Sequence, residues 1–152
     1  MNALPIVSLL LGSLVLGASV PAPRATAPTT ETVTIVVAAL ASTSSVVKLN
    51  FYNAPEKFLK DGQMAIRMVV RPDGKNTISI PVELTPGEWA VALSQDLNNN
   101  DKLDKNFLGI PTEPFAFSNN VKPRLSAPDF KECKFTVSGP GQVVTINDWN
   151  DF

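Results

Sequence analysis

A two-sheet antiparallel sandwich of about seven strands, all-β, is the architecture predicted for this 152-residue chain. Its hydrophobic residues recur with a period of two, its apolar runs are short and rich in β-branched residues, and turn chemistry bounds each run. Val33, Ile35 and Val37 open the series, and Ser42 to Ser45 mark a turn. Val47, Leu49 and Phe51 then share one face while Lys48, Asn50 and Tyr52 take the other. Ala54 to Leu59, with Pro55 suited to a first helical turn, predicts a short helix. Met64, Ile66, Met68 and Val70 alternate up to the turn Pro72-Asp73-Gly74, and Ile78, Ile80 and Val82 follow. Pro86-Gly87 predicts a type II turn, because Gly accepts positive φ, and Trp89, Val91 and Leu93 continue beyond it. Cys133, Phe135 and Val137 form another run, Gly139-Pro140-Gly141 turns, and Val143 to Ile146 closes the domain.

Three segments organise the chain. Residues 1–22 predict a cleaved secretory signal, since Ile6 to Val20 is apolar or small throughout and small residues cluster behind it. The run falls short of the roughly 20 apolar residues of a membrane span and is interrupted by Gly12 and Gly17. Residues 23–31 form a flexible leader rich in Pro, Ala and Thr, and residues 32–152 form the sandwich domain. The expected location is therefore secreted, periplasmic or cell envelope, without membrane insertion once the signal is removed.

Composition narrows the chemistry. A formal net charge of −1 excludes the basic face that nucleic-acid binding needs. The chain has no histidine, which removes Ser-His-Asp and Cys-His catalysis and imidazole metal sites. Its one cysteine forms neither an internal disulfide nor a thiolate zinc site. Cys133, in phase with Phe135 and Val137, is expected to be buried and inert. Glu83, Glu88, Glu113 and Asp129 show no pairing of the glycosidase kind.

One motif carries chemistry. Asp96-Leu97-Asn98-Asn99-Asn100-Asp101-Lys102-Leu103-Asp104 places oxygen side chains at relative positions one, three, five and nine, the front of an EF-hand-type calcium loop. Asp96, Asn98, Asn100, the carbonyl of Lys102 and Asp104 are the expected ligands, with Leu103 anchoring the loop to the core. Asp101 stands where Gly would supply a sharp positive-φ turn, and Asp tolerates that conformation better than most residues. Phe107 stands where a bidentate Glu would close the site, which leaves Glu113 or a later carbonyl to do so. Calcium is favoured over magnesium, with affinity near ~10⁻⁴–10⁻³ M. An Asn/Asp turn capped by its own side chains is the plain alternative.

Leu84-Thr85-Pro86-Gly87-Glu88-Trp89-Ala90-Val91 resembles segments of immunoglobulin-like and prealbumin-like surface modules. The calcium-type motif, then Asn106-Phe107-Leu108-Gly109-Ile110-Pro111, then Phe117-Ser118-Asn119-Asn120, together resemble the domain of unknown function 2141 family of small secreted bacterial proteins. The resemblance spans about Thr32 to Ile146 and implies a secreted β-sandwich without implying an activity. Many members carry His where this chain has Gln95, and Gly where it has Asp101 and Ala116.

The stretch 105–130 is too long for an ordinary hairpin connection. Its Phe107, Phe115, Phe117 and Phe130 are expected to pack, either as a plug over one open end of the sandwich or as the wall of a ligand cleft. Ser118, Asn119, Asn120 and Arg124 are the expected polar ligand surface, with Lys122 beside them. Taken together, the residues predict a non-enzymatic binding or structural module with a calcium-stabilised loop. The alternative is an envelope accessory protein that binds a glycan or solute through the 107–124 loop.

Overall fold

The computed structural model describes residues 28–124, 126–147 and 149; the expected signal and most of the leader lie outside them. Eight strands are described: β1 (Glu31–Val37), β2 (Val46–Tyr52), β3 (Ile66–Val70), β4 (Ile78–Leu84), β5 (Gly87–Asp96), β6 (Phe115–Phe117), β7 (Phe135–Val137) and β8 (Gln142–Ile146). They form two sheets, a smaller one ordered β4-β1-β8 and a larger one ordered β3-β2-β5-β6, in which β7 shares the outer edge of β5 with β6. The all-β sandwich is thus the observed fold.

The alternation places the core between the sheets. Val33, Ile35, Val37, Ile78, Ile80, Val82, Leu84 and Ile146 point inward from the smaller sheet. Val47, Leu49, Phe51, Trp89, Val91, Leu93 and Ala116 meet them from the larger one. Each such burial contributes about 1.5–3 kcal/mol for a Val, Leu, Ile or Phe. The link from β4 to β5 changes sheets, since β4 pairs with β1 and β5 with β2. Gly87 makes that corner at φ 136, a conformation that side chains disfavour, and Trp89 donates its indole N–H to the Thr85 carbonyl over it at 2.8 Å. Trp149 donates likewise to the Ala38 carbonyl, 2.8 Å, and packs against the core.

Several elements depart from expectation. β1 and β8 run parallel, whereas every other pairing among the described strands is antiparallel. Ser138 to Gly141 carries the chain from one sheet to the other, so the direction of β8 follows from β7 and not from a hairpin with β1. The strand expected from Cys133 begins only at Phe135, because Phe130–Cys133 forms a short helix, α1. Its signal is Asp129-x-x-Glu132: the Glu132 carboxylate accepts the Asp129 N–H at 2.8 Å, the return arm of a capping box. The expected helix at Ala54–Leu59 is a single 3-10 turn, Pro55–Lys57. β6, three residues long, lies within the 105–130 stretch that the sequence predicts as loop.

A second apolar cluster lies outside the sandwich. Tyr52, Phe58, Ala90, Phe115, Phe117, Phe130 and Cys133 pack on the outer face of the larger sheet. Edge-on ring contacts hold it, Tyr52–Phe58 at 5.3 Å, Phe58–Phe130 at 5.8 Å and Phe115–Phe117 at 5.7 Å between centroids. Burial, then Glu132 and Asp129, push the Cys133 thiol up to about 12, so it stays protonated and unreactive at neutral pH.

Candidate functional site: a cleft on the outer face of the larger sheet

Strand register arranges the outer face in rows. One row runs Val69, Lys48, Ser94, Phe115, and the next runs Arg67, Asn50, Ala92, Phe117. Polar and cationic groups therefore stand towards β3, small residues in the middle, and aromatic rings towards β6. Over these rows opens a cleft of about 1050 Å³, rimmed by residues from segments 59–64, 101–111 and 123–127. That volume lies near the upper end of the range for small-molecule sites. Asn50, which lines the cleft, has a buried Oδ1 without a hydrogen-bond partner.

The cationic end is built on a buried ion pair. The Lys48 side chain is only 6% exposed, and its Nζ lies 2.6 Å from Asp96 and 3.2 Å from Asp101. Arg67 reaches Asp101 from β3, also at 2.6 Å. Burial opposes ionisation of Asp96, which is 1% exposed. Lys48 and the N–H groups of Asp101 and Asn100 outweigh that cost and hold its carboxyl below the ordinary carboxylate value. Lys48 and then Arg67 lower the carboxyl of Asp101 in the same way.

The loop that begins at Asp96 turns on two left-handed residues, Asn99 at φ 58 and Asp101. Asp101 stands at φ 64, the left-handed conformation that Gly takes in such loops. The Asp96 carboxylate accepts the N–H of Asn100 at 3.2 Å and of Asp101 at 2.8 Å. Asn98 and Asn100 turn their amide N–H groups to the Asp104 carboxylate, 2.6 Å and 2.8 Å at closest. Their oxygens accept the N–H two residues on, those of Asn100 and Lys102. Of the four side chains among the expected ligands, Asn98, Asn100 and Asp104 thus converge, while Asp96 is shared between loop N–H groups and Lys48.

The donor set fits a hard cation in type, being all oxygen. Among the described residues, however, no three acidic or cysteine side chains gather as a ready cage. Binding calcium would require the two amides to present oxygen to the ion and Asp96 to be shared with Lys48. Glu113, expected to close the site, instead clasps the loop from beneath. It is 5% exposed, and its oxygens accept the N–H of Leu97 at 2.8 Å and of Asp104 at 3.2 Å. Leu103, expected to anchor the loop in the core, is half-buried and lines the cleft.

The 105–111 segment folds as a tight finger. Lys105 and Pro111 bridge, and the Asn106 side chain accepts the N–H of Leu108 at 2.9 Å and of Ile110 at 3.1 Å. Asn106 organises this turn through hydrogen bonds alone, so Phe107 is not needed to fix it. Phe107 is 94% exposed and Leu108 68% exposed, which corrects the expectation that Phe107 would pack with the other phenylalanines. Phe115, Phe117 and Phe130 do pack.

Ser118, Asn119 and Asn120 spend their polar atoms on the scaffold. Ser118 accepts the Val91 N–H at 2.9 Å and donates to the Cys133 carbonyl. Asn119 donates to the carbonyls of Glu132 and Lys134, 3.0 Å and 2.9 Å. Asn120 donates to Thr145 and accepts from Asn147, joining this turn to β8. Of the four residues expected to contact a ligand, Arg124 lines the cleft and these three tie strands together.

Gln95 is also structural. It is fully buried, accepts the Ser42 N–H at 3.0 Å and donates to the carbonyls of Ser42 and Ser45. Sequence reasoning missed Lys48, Asn50, Arg67 and Ser94 as cleft residues. The available signal was the polar outward face of Lys48, Asn50 and Tyr52.

Comparison with curated proteins and with solved structures returns no match for the chain. A family model described as an uncharacterized protein conserved in bacteria, DUF2141, matches residues 35–145. That match spans β1 to β8, including the loop, the finger and the Ser118–Asn120 turn, and so the chain belongs to the DUF2141 family.

Proposed function

We propose that this chain is an exported, non-catalytic binding module that seats a solute in the cleft on the outer face of its larger sheet. The cleft carries the reading: a concave site with apolar walls and a few convergent polar groups is the usual form of a small-molecule site. A non-catalytic role is supported by the absence of histidine and by the buried, protonated state of the one thiol. The apolar run Ile6–Val20 supports export, and protein isolated from its cell still beginning at Met1 would refute it. A thermal-shift screen of neutral sugars, acidic sugars and amphiphiles tests the site itself. Ligands that raise the melting temperature of the native chain are expected to lose their effect in Ala92→Trp and Ser94→Tyr, which fill the floor. No stabilising ligand, or stabilisation that survives both variants, would sink the proposal.

A second reading concerns the loop. The oxygen side chains of Asp96, Asn98, Asn100 and Asp104 at positions one, three, five and nine, with the positive φ of Asp101, favour calcium as its stabiliser. Millimolar calcium is then expected to raise the melting temperature relative to chelator, and Asn98→Ala with Asp104→Asn to abolish the rise. A melting temperature indifferent to calcium would leave a self-capped Asn/Asp turn.

A further inference from the structure

We infer that the ligand of this cleft is an anionic amphiphile, a molecule with a carboxylate or similar acidic head and an apolar body. The inference rests on the binding reading above and adds the class of ligand.

Charge supplies the first argument. Lys48, Arg67, Lys102, Lys105 and Arg124 line the cleft against Asp61 and Asp101, whereas the chain as a whole is net negative at −1. Even with Asp96 counted against Lys48, cations remain in excess. A site that concentrates positive charge in a chain that is otherwise slightly acidic selects an anion and repels a cation.

The apolar part supplies the second. Phe115 and Phe117 stand in edge-on contact at one side of the cleft, and Leu59 and Met64 line it and pack on the same outer cluster. Leu108 and Ile110 overhang from the finger and remain exposed to solvent. Phe115 and Phe117 are already buried and serve as a wall, whereas a wholly polar ligand would leave the exposed Leu108 and Ile110 and the half-buried Leu59 and Met64 in water, and an apolar body laid against them removes them from it.

Register supplies the scale. The row Arg67, Asn50, Ala92, Phe117 crosses three strand gaps, about 14 Å at ~4.8 Å per gap. Lys48 and Arg67 are engaged by Asp96 and Asp101, so the head is met by Lys102, Lys105 and Arg124 of the rim, and the body runs across Ala92 towards the rings. Ala92 and Ser94, both small, leave the groove open between the two ends.

Isothermal titration of the native chain with laurate below its micelle concentration tests the inference, with dodecyl maltoside, polygalacturonate and phosphatidylglycerol vesicles as further arms. Laurate is expected to bind, and Lys105→Glu with Arg124→Glu, both on the exposed rim, to weaken it about tenfold or more. Added salt is expected to weaken it as well. Ala92→Trp is expected to abolish binding while leaving the circular dichroism of the fold unchanged. Failure of laurate to bind, equal binding of the neutral dodecyl maltoside, or indifference to the rim reversals would overturn the anionic amphiphile. Binding to the vesicles without binding to laurate would overturn it in favour of a membrane surface. If polygalacturonate binds, is lost in Ala92→Trp, and laurate does not bind, the inference fails while the binding function stands.

Discussion

Lys48→Ala destabilises the fold by about 3 kcal/mol, read as a fall in the denaturant midpoint with unchanged slope. Breaking a buried ion pair from one side costs about 3–5 kcal/mol, because the remaining charge is stranded in a poorly solvated place. Asp96 keeps the N–H groups of Asn100 and Asp101 as donors, which holds the loss to the lower end. In an Asp96→Asn background the same substitution is expected to cost about 1 kcal/mol, since the remaining partner, Asp101, is exposed and keeps Arg67. Equal costs in the two backgrounds would mean that Lys48 contributes through packing of its stem and not through the pair.

The pH dependence of that ion pair has a definite sign. Asp96 and Asp101 both titrate below their ordinary value of 3.8 in the folded chain. Their contribution to stability is therefore fully present above about 3.8 and lost as pH falls through the lowered folded values. The native chain is expected to lose stability on acidification in that window. Lys48→Ala should lose less there, because a protonated Asp96 no longer needs the ammonium. Parallel acid curves for the two proteins would contradict the linkage.

Glu113→Ala is the second substitution with a large effect, about 2–4 kcal/mol. Both Glu113 oxygens hold backbone N–H groups of the 96–104 loop, and hydrogen bonds to a charged acceptor contribute about 1.5–3 kcal/mol each. The loss should be local first. Amide exchange at Leu97 and Asp104 is expected to accelerate about tenfold or more, while amides in the centre of β2 and β5 change only by the global loss of stability. Glu113→Gln keeps one strong acceptor and should recover part of the protection. Unchanged exchange at Leu97 and Asp104 would show that the loop holds its form without the clasp.

Glu113 also illustrates how far residue types can be read in a linear chain. Position twelve of the motif holds Phe107, which leaves Glu113 or a later carbonyl as the expected closing ligand. The use of both oxygens on backbone N–H groups is a property of the fold, because only β6 and the returning finger bring residue 113 beneath residues 97 and 104. Phe107 shows the opposite case. An aromatic residue in a long loop predicts packing, but the Asn106 turn closes without it and carries its ring into solvent.

The family resemblance drawn from the three motifs agrees with the family to which the chain belongs. The Phe117-Ser118-Asn119-Asn120 motif has a structural explanation in the bonds from Ser118, Asn119 and Asn120 to β5, α1, Lys134 and β8. Asn119 and Asn120 stand at φ 63 and 53, a conformation that Asn tolerates better than most residues.

Strands whose side chains alternate between core and solvent were legible in the chain, because the period of two is a local property of extended backbone. The turns at Ser42–Ser45 and Pro72–Gly74 were legible for the same reason: their φ requirements belong to the residues that occupy them. Short elements were not. The three residues of β6 carry too little periodicity, and its place in the larger sheet comes from pairing with β5, many residues away in sequence. The parallel direction of β8, the burial of Lys48 and the cleft itself share that origin. Each depends on which strands become neighbours, and no window of adjacent residues contains that information. Alternation had already placed Lys48, Asn50 and Tyr52 on one face. Packing alone turned that face into a site, by setting Arg67 on one side of it and Phe115 and Phe117 on the other.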